Sequence, residues 1–278
     1  FRMPGMGRTT SHYFRDKLAM RIKAKTEGVH VPEFTSLFND NDINTYADTV
    51  SPPWLLKPRL EASATGIKKI HSKDELWHIV NDLGDERDSY LVEKFAPGDV
   101  YHVDGLNLDG KVIFSRVSKY LDTPFEVAHG GGIFRSATCE IGTPIEKGLT
   151  KMNAEVMKAF GMQFGASHTE FIVSKATGDL FFLETSSRVG GANLAEMVAF
   201  ASGINLWSEW AKIESDSLKQ RKYKLPTTKN TYAGIVVSLS RYEYPDSSSF
   251  NDKEIVWRMN KAWHIGMIVV SDSSERVL

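Results

Sequence analysis

The sequence predicts an α+β fold, and two observations carry that prediction. Two β-hairpins stand out, and helical segments interleave with strand-like runs without a strict βαβ alternation. The first hairpin centres on Asp109-Gly110, a turn pair of the kind that takes positive φ at both central positions. It joins residues 100–108 to 111–117. The second joins 170–175 to 179–184 through Ala176-Thr177-Gly178, with glycine at the left-handed third position of a three-residue loop. In chain order, residues 16–25 read as a helix, with Leu18, Arg21, Ile22 and Lys25 at helical spacing and Gly28 as its stop. Val29-His30-Val31-Pro32 opens a strand-and-loop region. Ser51-Pro52-Pro53 breaks the chain before a short apolar strand, Trp54-Leu55-Leu56. Residues 59–66 form a loop rich in small side chains. A helix over 73–83 sets Leu76, Ile79, Val80 and Leu83 on one face. Tyr90-Leu91-Val92 is a strand ending at Pro97-Gly98. Helices are expected over 145–160, 193–201 and 206–213, a polar linker over 212–229, and strands over 232–239 and 264–271.

The 278 residues suffice for about two domains at roughly 150 residues each. With 34 basic against 35 acidic residues the net charge is −1, which disfavours a strongly basic nucleic-acid binder. No apolar run of membrane-spanning length occurs. Cys139 is the sole cysteine, so an internal disulfide is excluded and a cytoplasmic setting is expected; a role for Cys139 as nucleophile is not expected. The P-loop pattern, G-x-G-x-x-G, H-E-x-x-H and C-x-x-C are all absent.

The second hairpin makes a geometric prediction. With its loop centred on Thr177, Phe171 faces Leu183, Val173 faces Phe181, and Glu170 faces Glu184. Directly opposed like charges destabilise a sheet, so a positive group is expected between the two carboxylates. Mg²⁺ fits, since it takes few carboxylates and completes its shell with water and phosphate oxygens. The other reading is a bulge that shifts the register and keeps the glutamates apart. After Glu184 the chain runs Thr185-Ser186-Ser187-Arg188-Val189-Gly190-Gly191. Arg188 offers a fork for phosphate or carboxylate oxygens, and the glycines let backbone approach an anion.

At this point the sequence resembles the ATP-grasp superfamily. His168-Thr169-Glu170 followed by Glu184-Thr185-Ser186-Ser187-Arg188-Val189-Gly190-Gly191 is similar to its H-x-E … E-x-N-x-R-x-G-G pattern. Arg15-Asp16-Lys17 resembles the entry to its phosphate-lysine helix. Leu56-Lys57-Pro58 and the loop to Gly66 resemble the second phosphate lysine and its flap, and Val92-Glu93-Lys94-Phe95-Ala96-Pro97-Gly98-Asp99 resembles the adenine hinge and ribose acid. These motifs span about residues 12 to 212. The resemblance implies an ATP-grasp fold in which two α+β lobes grip ATP. It implies ATP contacts from Lys17, Lys57, the backbones of Glu93 and Ala96, Lys94 and Asp99, and metal ligation by Glu170 and Glu184. Ser186 stands where the family has Asn, which weakens a second metal position.

Within the superfamily the pattern is most similar to carboxylate–amine ligases of the L-amino-acid (dipeptide) ligase type. That implies ATP and Mg²⁺, with Mn²⁺ an alternative ion, small carboxylate and amine substrates, and amide formation through an acyl phosphate with release of ADP and phosphate. Arg188 and the loop residue His129, beside three glycines, are the catalytic candidates, and specificity is expected from side chains near His129, Arg188 and Trp207. A biotin-carboxylase-like or purine-pathway enzyme, and a non-catalytic Mg-ATP-binding fragment, are the alternatives. No nucleic-acid or membrane partner is expected, and a homodimer is an allowed state. The expected divisions are an entry helix and linker (1–38), a small lobe (39–98), a large lobe (99–214) and a C-terminal β-containing extension (215–278). Lys17 leaves only 16 residues before it, no room for the separate Rossmann-like domain such enzymes carry, so Phe1 is not expected to be the natural start.

Overall fold

The computed structural model describes residues 7–62, 65–123 and 132–278. The described residues build two antiparallel sheets. The smaller contains β1 (Phe34–Ser36), β2 (Trp54–Pro58), β3 (Lys68–Ile70) and β4 (Tyr90–Lys94) in the order β1-β4-β2-β3. Helices α3 (Asp40–Thr49) and α4 (Lys73–Leu83) cover it, and Trp54, Leu56, Val92, Ile43, Leu76 and Val80 form a shared core. The larger sheet has the order β11-β12-β10-β7-β6-β5-β8-β9. Its central strands are β5 (Gly98–Leu108), β6 (Lys111–Tyr120), β7 (Phe134–Thr138), β8 (Gly165–Ser174) and β9 (Leu180–Ser186). The strands β10 (Tyr232–Leu239), β11 (Ile255–Arg258) and β12 (His264–Ser271) extend it, with β10 antiparallel to β7.

Strand alternation sorts the faces of β5. Tyr101 and Val103 face the core shared with α2 (Lys17–Thr26) and α5 (Pro144–Ala159). Val100 and Leu106 face the cores under α6 (Leu194–Ser202) and α7 (Leu206–Leu218). Between them on this second face stand His102 and Asp104, both fully buried. A polar pair in that position must find its partners inside the protein, and it does so at the site described below. A short helix, α1 (Gly7–His12), precedes α2.

The Asp109-Gly110 turn forms as predicted. Both residues take positive φ, 51° and 72°, and Leu108 pairs with Lys111. The second hairpin departs from prediction in an informative way. Glu170 does pair with Glu184, but a bulge follows, so that Phe171 pairs with Phe182 and Val173 with Leu180, in place of Leu183 and Phe181. The predicted linker at 212 is a second departure. Helix α7 continues to Leu218; Ile213 and Glu209 are buried on its inner side, where Glu209 accepts from the Tyr223 hydroxyl at 2.7 Å, and Lys212 reaches Glu209 from the exposed side at 2.6 Å. No helix among the described residues is long and apolar enough to cross a membrane.

Gly98 opens β5 where the chain passes between the sheets. A Cβ there would lie 2.4 Å from the Val173 carbonyl oxygen and 2.6 Å from Ile172 Cγ2. Backbone cannot yield as a side chain can, so Gly98→Ala is expected to destabilise the fold by about 1–3 kcal/mol, read as a lowered unfolding midpoint in urea.

Candidate active site

A cavity of about 820 Å³ lies between the two sheets, within the size range of small-molecule sites. Leu55 and Lys57 from β2 and Glu93 from β4 form one wall. Ile172, Leu183 and the Glu170–Glu184 pair from β8 and β9 form the other. Phe95, Ala96 and Pro97 join the walls where the chain leaves β4. Glu61, Ala62, Thr65 and Ile67 of the small-residue loop border the opening.

The two opposed carboxylates are compensated separately. Lys17 Nζ lies 2.9 Å from Glu184 Oε2. The N-cap of α2 aims Lys17 there: the Asp16 carboxylate accepts from the Leu18 and Ala19 amides at 2.9 and 3.2 Å and is itself held by Arg59. Glu170 Oε1 accepts from the Tyr120 hydroxyl at 2.9 Å and lies 3.6 Å from His168 Nε2. Burial alone would raise the Glu170 carboxyl; hydrogen bonding and charge from His168, with Tyr120, override that and hold it below the usual carboxylate range. The same burial pushes the Tyr120 hydroxyl well up, aided by Glu170, so Tyr120 stays a donor.

Behind His168 the polar residues of β5 find their partners. His168 Nδ1 lies 2.9 Å from Asp104 Oδ1, and His102 Nδ1 lies 2.7 Å from Asp104 Oδ2. His102 Nε2 in turn meets Ser136 Oγ at 2.8 Å. Burial would depress the His168 imidazole, but the Asp104 carboxylate pushes it up to about 10. Two imidazoles likewise hold Asp104 well below its ordinary range against the opposing effect of burial.

A second buried cluster stands at the other wall. Glu93 accepts from Arg21 at 2.7 and 2.9 Å and pairs with Lys57. Arg21, 1% exposed, also donates to the Leu183 carbonyl, so one guanidinium ties α2 to both sheets. Burial opposes ionisation of Glu93, and the adjacent guanidinium and ammonium overcome it, holding the carboxyl below its usual range.

The structure brings Lys17, Lys57, Glu93, Ala96, Glu170, Glu184, Ser186 and Arg188 to one cavity. Arg188 donates to the Val189 carbonyl at 2.8 Å. Four further candidates are placed as follows. Glu93 is registered between Phe34 and Leu55 in the sheet, so its backbone belongs to the ladder and it faces the site with its carboxylate. Lys94, one residue on, points to the opposite face by strand alternation and donates to the Ser51 and Pro52 carbonyls. Asp99 is held by Lys119 at 2.7 Å and Lys175 at 3.1 Å and is not part of the cavity wall. Trp207 is 54% exposed, stacked on Trp210 away from the cavity. His129 lies outside the described residues. Burial pushes the Cys139 thiol up to about 12. Sequence reasoning missed Tyr120, Arg21, His102 and Asp104. The period-two placement of His102 and Asp104 on one face of an otherwise apolar strand was the available signal.

The donor set suits a divalent cation and a nucleotide. Two carboxylates offer hard oxygen ligands, lysine and arginine offer charge for phosphates, and Leu55, Ile172 and Leu183 give apolar walls for a flat ring. The architecture is the ATP-grasp fold: the chain superposes on the crystal structure of L-amino acid ligase from Bacillus licheniformis with a TM-score of 0.75 over 98% of its own length and 72% of that chain, at 18% identity. In sequence it is similar to two named ligases. It is 29% identical over 213 residues to L-arginine-specific L-amino acid ligase of Bacillus subtilis, covering 74% of this chain and 51% of the relative. It is 22% identical over 204 residues to D-alanine–D-alanine ligase of Neisseria gonorrhoeae, covering 72% and 66%. No family model matches the sequence. The chain spans about half the length of the first of these relatives.

Proposed function

We propose that this chain is the ATP-binding core of an ATP-dependent carboxylate–amine ligase, active in the cytoplasm, that forms an amide bond through an acyl phosphate and releases ADP and phosphate. The observation that carries the reading is the Glu170–Glu184 pair facing a nucleotide-sized cavity with Lys17 and Arg188 beside it. The relation to named amino-acid ligases supports the reaction class.

Glu170 and Glu184 would hold Mg²⁺, or Mn²⁺ in its place, with Ser186 at the margin as a weaker oxygen donor. The ion supplies charge neutralisation at the phosphates when bound. Lys57 and Glu93 border the nucleotide, and Ala96 lies where the ring would meet the chain between the sheets. An oxygen of the substrate carboxylate attacks the γ-phosphorus, the bond to the β–γ bridging oxygen breaks, and ADP leaves. The amine then attacks the acyl carbon, phosphate departs, and the amine proton is lost to solvent. Lys17 and Arg188 offset charge on the transferring group, where catalysis is chiefly positioning and electrostatics. The loop carrying Glu61 and Thr65 borders the opening and is placed to exclude water, which would hydrolyse the acyl phosphate.

The test is ADP and phosphate release with amino-acid pairs as substrates. Release that depends on a second amino acid, with a dipeptide as product, is the expected result. Release with bicarbonate and no amino acid would point to carboxylase chemistry. Tight Mg-ATP binding with no turnover under any acceptor would overturn the ligase reading.

A further inference from the structure

Glu170 is held from behind. Its Oε1 takes the Tyr120 hydroxyl at 2.9 Å and faces His168 Nε2 at 3.6 Å. His168 does not end there: its other nitrogen is fixed to Asp104 at 2.9 Å, Asp104 is fixed to His102 at 2.7 Å, and His102 meets Ser136 at 2.8 Å. The chain of contacts runs across four strands, β8, β5, β6 and β7. Its interior members, His102, Asp104 and Ser136, are fully buried.

His102, Asp104 and His168 also present atoms within 4.8 Å of one another, as a metal centre would. The protons decide against that use. Each Nδ1 sits at hydrogen-bond distance from its own oxygen of the Asp104 carboxylate. An ionised carboxylate is acceptor-only, so both Nδ1 atoms carry protons and have no lone pair for an ion. With its Nδ1 proton committed to Asp104, His168 presents Nε2 toward Glu170 in one fixed ring orientation.

Gly190 closes the arrangement. A Cβ at this position would lie 2.8 Å from Asp104 Oδ1 and 2.9 Å from His168 Nδ1. The backbone after Arg188 is thus laid directly over the Asp104–His168 contact.

We propose that the Asp104–His168 pair is a positioning device that fixes the carboxylate of Glu170 for metal binding, with His102 and Ser136 anchoring it to the sheet. Oε1 is occupied from behind by Tyr120 and His168, which leaves Oε2 to be turned toward the ion. Partners one step behind a metal ligand typically contribute 10–100-fold in metal affinity. The inference rests on the metal role given to Glu170 above, and the experiment separates the two.

Mn²⁺ binding to the full chain in the presence of ADP is measured by electron paramagnetic resonance, with metal-free ADP binding measured by calorimetry. The wild type is expected to bind Mn²⁺ and Glu170→Gln to lose it; if the two bind alike, the metal assignment fails and the positioning role falls with it. With that assignment intact, Asp104→Asn and His168→Leu are expected to weaken Mn²⁺ binding about 10–100-fold. Metal-free ADP affinity should stay within about twofold of wild type. His168→Gln, which returns an N–H donor beside Glu170, is expected to recover part of the loss. Wild-type Mn²⁺ affinity in either weakened variant, or an equal fall in metal-free ADP binding, would overturn the proposal. Should Asp104→Asn melt below the assay temperature, the His168 pair decides alone.

Discussion

Glu184→Gln is expected to lower amine-dependent ADP release by at least about 10³-fold, the scale of several kcal/mol of charge stabilisation supplied through a metal ion. The substitution keeps the side chain's shape and removes its charge, so the loss isolates the carboxylate's electrostatic role. The Lys17 contact at 2.9 Å is also weakened, but Glu184 is partly exposed and a pair of that kind contributes about 0–1 kcal/mol. Melting temperature should therefore change little while turnover collapses. Steady-state ADP release at saturating Mg²⁺ and ATP, paired with a thermal melt, checks both halves. Activity within tenfold of wild type would show that the Glu170–Glu184 pair holds no essential ion.

The largest effect on stability is expected from Glu93→Gln. Removing one member of a buried ion cluster leaves the others charged and without compensation, at a cost of about 3–5 kcal/mol. Here the stranded groups are Arg21, which also ties α2 to the Leu183 carbonyl, and Lys57 on the cavity wall. Urea unfolding at neutral pH reads the change, and a difference below about 1 kcal/mol would refute it. The same carboxylate predicts a pH dependence. Its folded value lies below its ordinary one of 4.5, so its stabilisation is complete above the ordinary value and is lost as pH falls through the folded one. Wild type and Glu93→Gln should therefore differ most near neutrality and converge under strongly acidic conditions.

Much of the architecture was legible because local chemistry dictated it. Asp109-Gly110 admits few conformations, and the apolar stripe of Leu76 and Val80 leaves α4 no other partner than the small sheet. Helix α3 was not legible for the opposite reason. It carries only Ile43 and Tyr46 inward, too few to make a stripe, and it starts on the Asn39 cap, which accepts from the Asp42 amide at 2.9 Å. The strands β1 and β3, three residues each, exist only through their neighbours in the sheet.

The site divides along similar lines. Motif order located Lys17, Lys57, Glu170, Glu184 and Arg188, and all five meet at the cavity. It could not say which side chains turn inward. Glu93 and Lys94 are adjacent in one strand, so alternation allows only one of them to face the ligand, and nothing local chooses between them. Asp99 was lost to two lysines distant in sequence, Lys119 and Lys175. Such partners become visible only once the strands are assembled.

The bulge between Glu170 and Phe171 bears on how this hairpin can vary. It sits between the paired acids and the turn, and it takes up one residue of register. In an unbroken ladder, a one-residue change in the turn would slide one strand past the other and carry a glutamate to the wrong face. With the irregularity in place, the segment from Phe171 to Leu180 forms a separate unit whose length need not be matched to the spacing of the acids. The solvent-facing end of the hairpin is thereby free to lengthen or shorten under selection of its own, while the end at the cavity keeps its geometry.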